Sequence, residues 1–314
     1  MKLRVAVLAT VLLVAAPALA SPPRVGGRAY LVENAATGEV LLRHNDRERL
    51  PIASITKLMT VLVALERVRL DDVVIVSRRA AAVGESTINL RLGERLSVRE
   101  LIEAALIQSA NDAAVALADY AGRGNVAGFV ALMNAKARRL GLTDTHFVNP
   151  DGLDDPGHYS SARDVTKLAR IAMHAPFVRE IVGRTGVTIA GGRRLRTWND
   201  LLSTFPHLIG VKTGHTSRAG WSEVAAARGP GVTIYATILG SPTRARRNND
   251  LTELLAWGLS RYRVVPVVSS GRVYATAEAS YGRRPLALVV RRRLLRVVRI
   301  GRPLVERVVA PGAV

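Results

Sequence analysis

The hydrophobic pattern changes period several times along the chain. Residues 28–33 and 39–43 alternate apolar and polar positions around Ala36-Thr37-Gly38, as a β-hairpin does. After Pro51 the spacing becomes helical. From Ser54 to about residue 69, Ile55, Leu58, Met59, Val61, Leu62, Val63 and Leu65 are apolar nearly all round the projection. That distribution predicts a helix enclosed by its domain. Ser97-Val98-Arg99-Glu100 has the spacing of a capping box and opens a second block through Leu101, Ile102, Ala105 and Leu106, which breaks near Ser109 and resumes after Asp112. A helix is expected over 126–140, stopping at Gly141, and Ser161-Ala162-Arg163-Asp164 starts another. From Val187 the period is that of strands, around 187–189, 211–213, 221–227 and 232–239, with Arg228-Gly229-Pro230-Gly231 as a turn; a helix over 243–262 follows.

Strands at both ends with helices between them predict an α/β sandwich: an antiparallel sheet drawn from both ends of the chain, packed with helices and carrying an α-helical insert. From about Val264 short Val- and Arg-rich runs are split by Gly271, Gly282, Gly301 and Pro303, which suits a small β-rich domain. The expected organisation is a leader over 1–20, a large domain over 21–262 and the β-rich domain over 263–314. Residues 304–311 read as a strand of that domain, with no further anchoring helix expected. Residues 286–300 have a second reading as a cationic amphipathic helix, because their arginines gather loosely on one side.

The N-terminus adds a compartment. Lys2 and Arg4, an apolar run over 5–15, and Ala18-Leu19-Ala20 before Ser21 form a secretory signal; the run is too short for a membrane span and Pro17 interrupts its end. With no cysteine the fold stands on its core, without disulfides, a thiol nucleophile or a lipidated cysteine. A formal charge of +20 suggests nucleic acid in a cytosolic protein, but export replaces that partner with anionic wall polymers or lipid headgroups. Nine arginines between Arg283 and Arg307 concentrate the charge near the C-terminus.

Three short motifs carry chemistry. Ser54-Ile55-Thr56-Lys57 sets a hydroxyl and an amine three residues apart on one helix face. The lysine can act as base if its pKa falls by roughly three units, a cost of about 4 kcal/mol to the charged form, which burial and a second cation supply. Ser109-Ala110-Asn111 lies at the helix break, where a turn presents a hydroxyl and an amide. Lys212-Thr213-Gly214 offers an ammonium, a hydroxyl and a glycine on a strand, where a ligand backbone can approach closely. The six histidines do not pair at metal-ligand spacing and read as ordinary polar residues; neither a metal nor a cofactor is implied.

Together these motifs resemble the low-molecular-mass serine D-alanyl-D-alanine carboxypeptidases, penicillin-binding enzymes of the bacterial wall that share a fold with the β-lactamases. Asn149-Pro150-Asp151-Gly152-Leu153, His158-Tyr159-Ser160-Ser161-Ala162-Arg163-Asp164 and Gly210-Val211-Lys212-Thr213-Gly214-His215-Thr216 extend the resemblance over roughly 28–262. It implies Ser54 as nucleophile, Lys57 as its base, Ser109 as relay to the leaving amine and Asn111 as positioning residue. It also implies that Lys212 holds the field positive, that Thr213 binds the substrate carboxylate beside Gly214, and that the N–H groups of Ser54 and His215 form an oxyanion hole. The implied substrate is the peptidoglycan stem peptide, with β-lactams as acylating inhibitors. The implied location is the periplasm or outer wall space, at most peripheral on the outer face of the cytoplasmic membrane. Two rivals share the fold. A class A-like β-lactamase would need an added glutamate to activate water. Between Asn111 and Lys212 the sole glutamate is Glu180, outside the Glu-x-x-Leu-Asn context of those enzymes. A non-catalytic wall-binding or penicillin-sensing protein is the other.

Overall fold

A computed structural model describes residues 11–12, 21–277, 286–301 and 304–305. The expected leader over 1–20, apart from 11–12, and most of 304–311 lie outside the described residues. The chain forms two units, one spanning 22–229 with 233–259, the other holding the residues up to 21, 230–232 and the residues from 260 onward.

The first unit is organised by a five-stranded sheet. Strands β1 (Ala29–Asn34) and β2 (Val40–His44) are the expected hairpin; β3 (Leu208–Thr216), β4 (Gly220–Gly229) and β5 (Val232–Ser241) come from the far end of the chain. The spatial order β2-β1-β5-β4-β3 puts the N-terminal strand beside the last one, with Ala29 opposite Leu239 and Asn34 opposite Ile234.

Between β2 and β3 lie the helices. A 3-10 turn over Ala53–Thr56 feeds α1 (Lys57–Leu65), which ends four residues earlier than the sequence pattern suggests. Every α1 residue from Lys57 to Ala64 is buried, as its all-round apolar pattern predicts. Helix α2 (Val98–Glu103) has both halves of the capping box: Glu100 N–H donates to Ser97 Oγ, and Ser97 N–H to Glu100 Oε2 at 2.8 Å. Helices α3 (Asn111–Ala121), α4 (Val126–Arg139) and α5 (Ala162–Ala172) complete the insert, and α6 (Arg244–Ser260) follows the last strand. Leu58, Met59, Leu101, Ile102, Leu117 and Phe129 sit in one continuous core.

In the second unit Tyr262–Val268 pairs with Leu294–Arg299, and Val273–Ala277 with Leu286–Val289, all antiparallel. The residues 286–300 are therefore strands around a turn at Arg291–Arg293, and the helical reading of that segment is set aside.

Candidate active site

Three chain segments meet at one cleft. The first is the turn before α1. Ala53 adopts φ +47°, a left-handed conformation costly for a residue with a Cβ, and Ser54 follows it. Ser54 Oγ lies 2.6 Å from Lys57 Nζ, and the same amine donates to Asn111 Oδ1 and to the Asp151 carbonyl, each at 2.7 Å. Those two oxygens can only accept. A neutral amine has two hydrogens and one lone pair, so with both hydrogens spent on the carbonyls its lone pair faces the Ser54 hydroxyl. Lys57 is fully buried, and burial lowers its pKa from 10.5 to about 8 against the pull of Asp151, Asp112 and Glu85.

The second segment is the break between α2 and α3. Helix α2 widens into a π-helical turn over Ala104–Gln108, and Ser109 caps it at φ +64°. Single π turns and left-handed non-glycine residues both concentrate at functional sites, because their strain is retained only where the surroundings enforce it. The enforcement is visible: Asn111 N–H donates to Ser86 O at 2.7 Å, while the buried Asp112 carboxylate accepts from the backbone of Ile88 and Leu90 at 3.0–3.2 Å.

The third is β3. Lys212 Nζ, buried, donates to Ser109 Oγ at 2.8 Å and to the Thr213 carbonyl at 2.9 Å. Burial holds its pKa well below the ordinary lysine value; the Lys57 charge pushes the same way and Glu223 pulls back. A Cβ on Gly214 would stand 2.6 Å from Ile52 O and 3.2 Å from Ser54 N, so only glycine lets the strand run this close to the serine turn. From the other side, Gly152 at φ +90° brings its loop against Ala53 O, where a Cβ would meet that oxygen at 2.0 Å. This contact sets the Asp151 carbonyl under Lys57.

Ser54, Ser109, Thr213, Gly214 and His215 line a cavity of about 210 Å³, with Lys57 and Lys212 bonded to its serines from behind and Asn111 bonded to Lys57. All eight residues singled out by the motifs thus converge. Sequence reasoning missed five more that line the cavity: Ser86, Trp198, Trp221, Arg244 and Arg247. Arg247 is buried, its Nε 3.1 Å from Glu223 Oε2, and burial raises Glu223 to about 7 although Arg247 pulls it down. His158 is also more than an ordinary polar residue. It is buried, accepts from Val148 N–H at Nδ1 (3.2 Å), and its Nε2–H donates to Thr56 Oγ1 at 2.7 Å; burial lowers its pKa to about 4, which keeps it neutral. Glu180 pairs with Arg184 on an exposed face, and neither lines the cleft. Among the described residues no group of His, Asp and Glu is arranged to hold a metal.

A serine bonded to a buried lysine, a second serine bonded to a second buried lysine, and a strand beside the first serine define an active-serine acyl-transfer enzyme of the penicillin-binding fold. The chain belongs to peptidase family S11, D-alanyl-D-alanine carboxypeptidase, whose sequence model matches residues 16–243. It is 35% identical over 273 residues to D-alanyl-D-alanine carboxypeptidase DacD of Salmonella typhimurium, covering 83% of this chain and 70% of that one. To DacF of Bacillus subtilis it is 34% identical, covering 82% and 68%. Among solved structures, Streptomyces K15 DD-transpeptidase superposes with a TM-score of 0.72 at 30% identity over 77% of this chain and all of that one. Penicillin-binding protein 6B of Escherichia coli gives 0.74 at 32% identity over 90% and 88%.

Proposed function

We propose that this serine DD-carboxypeptidase removes the terminal D-alanine of peptidoglycan stem peptides through a Ser54 acyl-enzyme. The hydrogen-bond set of Lys57 carries the reading. The Ser54 hydroxyl gives its proton to the Lys57 lone pair as its oxygen attacks the carbonyl between the two D-alanines. The N–H groups of Ser54 and His215, on adjacent segments, receive the developing oxyanion. Collapse breaks the C–N bond, and Ser109, bonded to Lys212, hands a proton to the departing amine. Water then hydrolyses the ester, returning Ser54 and releasing the shortened peptide. Thr213, which lines the cavity together with Arg247, takes the terminal carboxylate. Lys57 and Lys212 are both buried and the Lys57 charge disfavours that of Lys212, so the pair favours a single proton, and burial makes that proton easier to lose than on an ordinary lysine. A β-lactam enters the same path and stays as a slow acyl-enzyme.

Export through the segment 1–20, a catalytic domain over 21–262 and a separate β-rich domain over 263–314 belong to the same proposal. So does electrostatic attachment to anionic wall or membrane surfaces, supported by the exposed arginines at 291–293 and 296. Incubation with a pentapeptide muropeptide should yield a product lighter by one alanine residue, and labelled penicillin should mark Ser54. Labelling without alanine release would leave a penicillin-sensing protein, and rapid release of hydrolysed penicillin a β-lactamase.

A further inference from the structure

The cavity has a wall that the catalytic groups do not explain. Arg244 is gripped by Asp200 through two charge-assisted hydrogen bonds, 2.7 Å from Nε and 2.5 Å from Nη2, and Asn248 holds the same carboxylate at 2.8 Å. The guanidinium carbon of Arg244 lies 5.4 Å from the Trp198 ring and 5.9 Å from that of Trp221. Trp221 in turn stacks on His215 at 3.9 Å and approaches Arg247 at 5.9 Å. Trp198 is pinned at its far end, where Nε1–H donates to the Gln108 carbonyl at 2.9 Å, yet half of the residue remains exposed. A large flat side chain fixed by a hydrogen bond and a cation, lining the cavity of the two serines, is a surface built for contact.

Its location decides what it contacts. A leaving amino acid has its nitrogen near Ser109 and its carboxylate near Arg247, so its side chain leaves the Cα between them. Trp198 spans that interval, bonded to the neighbour of Ser109 at one end and, through Arg244 and Asp200, joined to the Arg247 side at the other. We propose that Trp198, backed by Arg244 and Trp221, determines specificity for the leaving residue and limits it to a side chain about as small as that of alanine. The inference rests on the carboxypeptidase reading and sharpens it. A cross-bridged stem, whose leaving residue bears a long chain, would collide with the same indole, so the enzyme trims free stems and does not open cross-links.

The test uses peptides that differ only in the last residue, D-Ala, D-Leu or D-Phe. The wild-type protein should prefer D-Ala in kcat/KM, and Trp198→Ala should shrink the ratio of D-Ala to D-Leu about tenfold, with a gain on D-Leu, because the lost contact is steric. Trp198→Phe, which keeps a ring, should stay close to the wild-type ratio. Equal losses on all peptides in Trp198→Ala would mark a structural role and overturn the proposal, as would an unchanged ratio. The preference is also read without turnover, from how strongly each peptide slows penicillin labelling of Ser54. A wild-type protein that binds D-Ala-ended peptides selectively but never releases D-alanine would refute the carboxypeptidase reading and leave the wall intact. Absence of selectivity in both assays would remove the wall.

Discussion

The two buried lysines of the cleft stand in contrasting surroundings. Lys57 belongs to the helical side, where its bonded oxygens are neutral and the charges acting on it are the carboxylates of Asp151, Asp112 and Glu85. Lys212 belongs to the sheet side and has the Glu223 and Arg247 charges behind it. Burial lowers both, but the partners differ in what they ask of the amine. Neutral acceptors on Lys57 are satisfied by an uncharged nitrogen, so its proton is available for exchange. Lys212 also bonds neutral oxygens, so what sets it apart is the Lys57 and Arg247 cations near it, and in the proposed reaction it stands on the side that takes the substrate carboxylate. The same residue type thus takes two tasks according to what its neighbours can accept.

The contrast can be broken most severely at its origin. Ser54→Ala should abolish penicillin labelling and D-alanine release, since no other hydroxyl is bonded to Lys57 among the described residues; any persistent label on the intact protein would defeat the mechanism. Lys57→Arg comes next. A guanidinium keeps the charge but cannot surrender a proton near neutral pH, so acylation should fall by about 10²–10⁴-fold. On the sheet side, Arg247→Ala or Thr213→Val should cost roughly ten- to a hundredfold in kcat/KM on a free-carboxylate peptide. These variants should cost little on a peptide whose terminal carboxylate is amidated, because the group they are proposed to hold is then gone.

The smallest effects are in pH. The Lys57 pKa of about 8 predicts that acylation rises with pH through that value and levels off above it, whereas a flat profile from pH 6 to 9 would remove Lys57 as base. Glu223 acts on stability. Its pKa is raised from 4.5 to about 7 on folding, so the folded state holds the extra proton, and the stabilisation present below pH 4.5 is lost as pH rises through 7. Thermal melts should show Tm declining over that window in the wild-type protein and a shallower decline in Glu223→Gln.

Much of this was legible before the structure. The Ser54 and Lys57 spacing fixes a face of a helix, and the capping box at Ser97 fixes where the next block starts; both are local rules, and both hold. The helix over 126–140 and the strands of the sheet were readable for the same reason. Pro176–Val182 and the ribbon of Gly186–Ile189 with Arg193–Arg196 were not fully readable, since elements of four to seven residues carry too few periods to stand out. Arg247 shows a deeper limit. In Arg244-Ala245-Arg246-Arg247 it looks like one more surface charge; what could have marked it is the three-residue spacing from Arg244, which puts both on one face. Trp198 and His158 acquire meaning through partners 90 and 102 residues away, and no local pattern carries that information.

The sheet order has a consequence for how the enzyme comes into being. The strand beginning at Ala29 pairs with one ending at Ser241, and the serine turn near residue 54 leans on a strand that starts at Leu208. As the chain is made, its early part must wait for the late part before the strand Ala29–Asn34 has a neighbour on both sides. Pairings between distant segments form slowly, because the loop must close before any contact rewards it. The nucleophile and its base can be a few residues apart and still be inert until almost the whole catalytic unit has arrived. Covalent capture of penicillin therefore doubles as a clock for maturation, marking only those molecules whose first and last strands have already met.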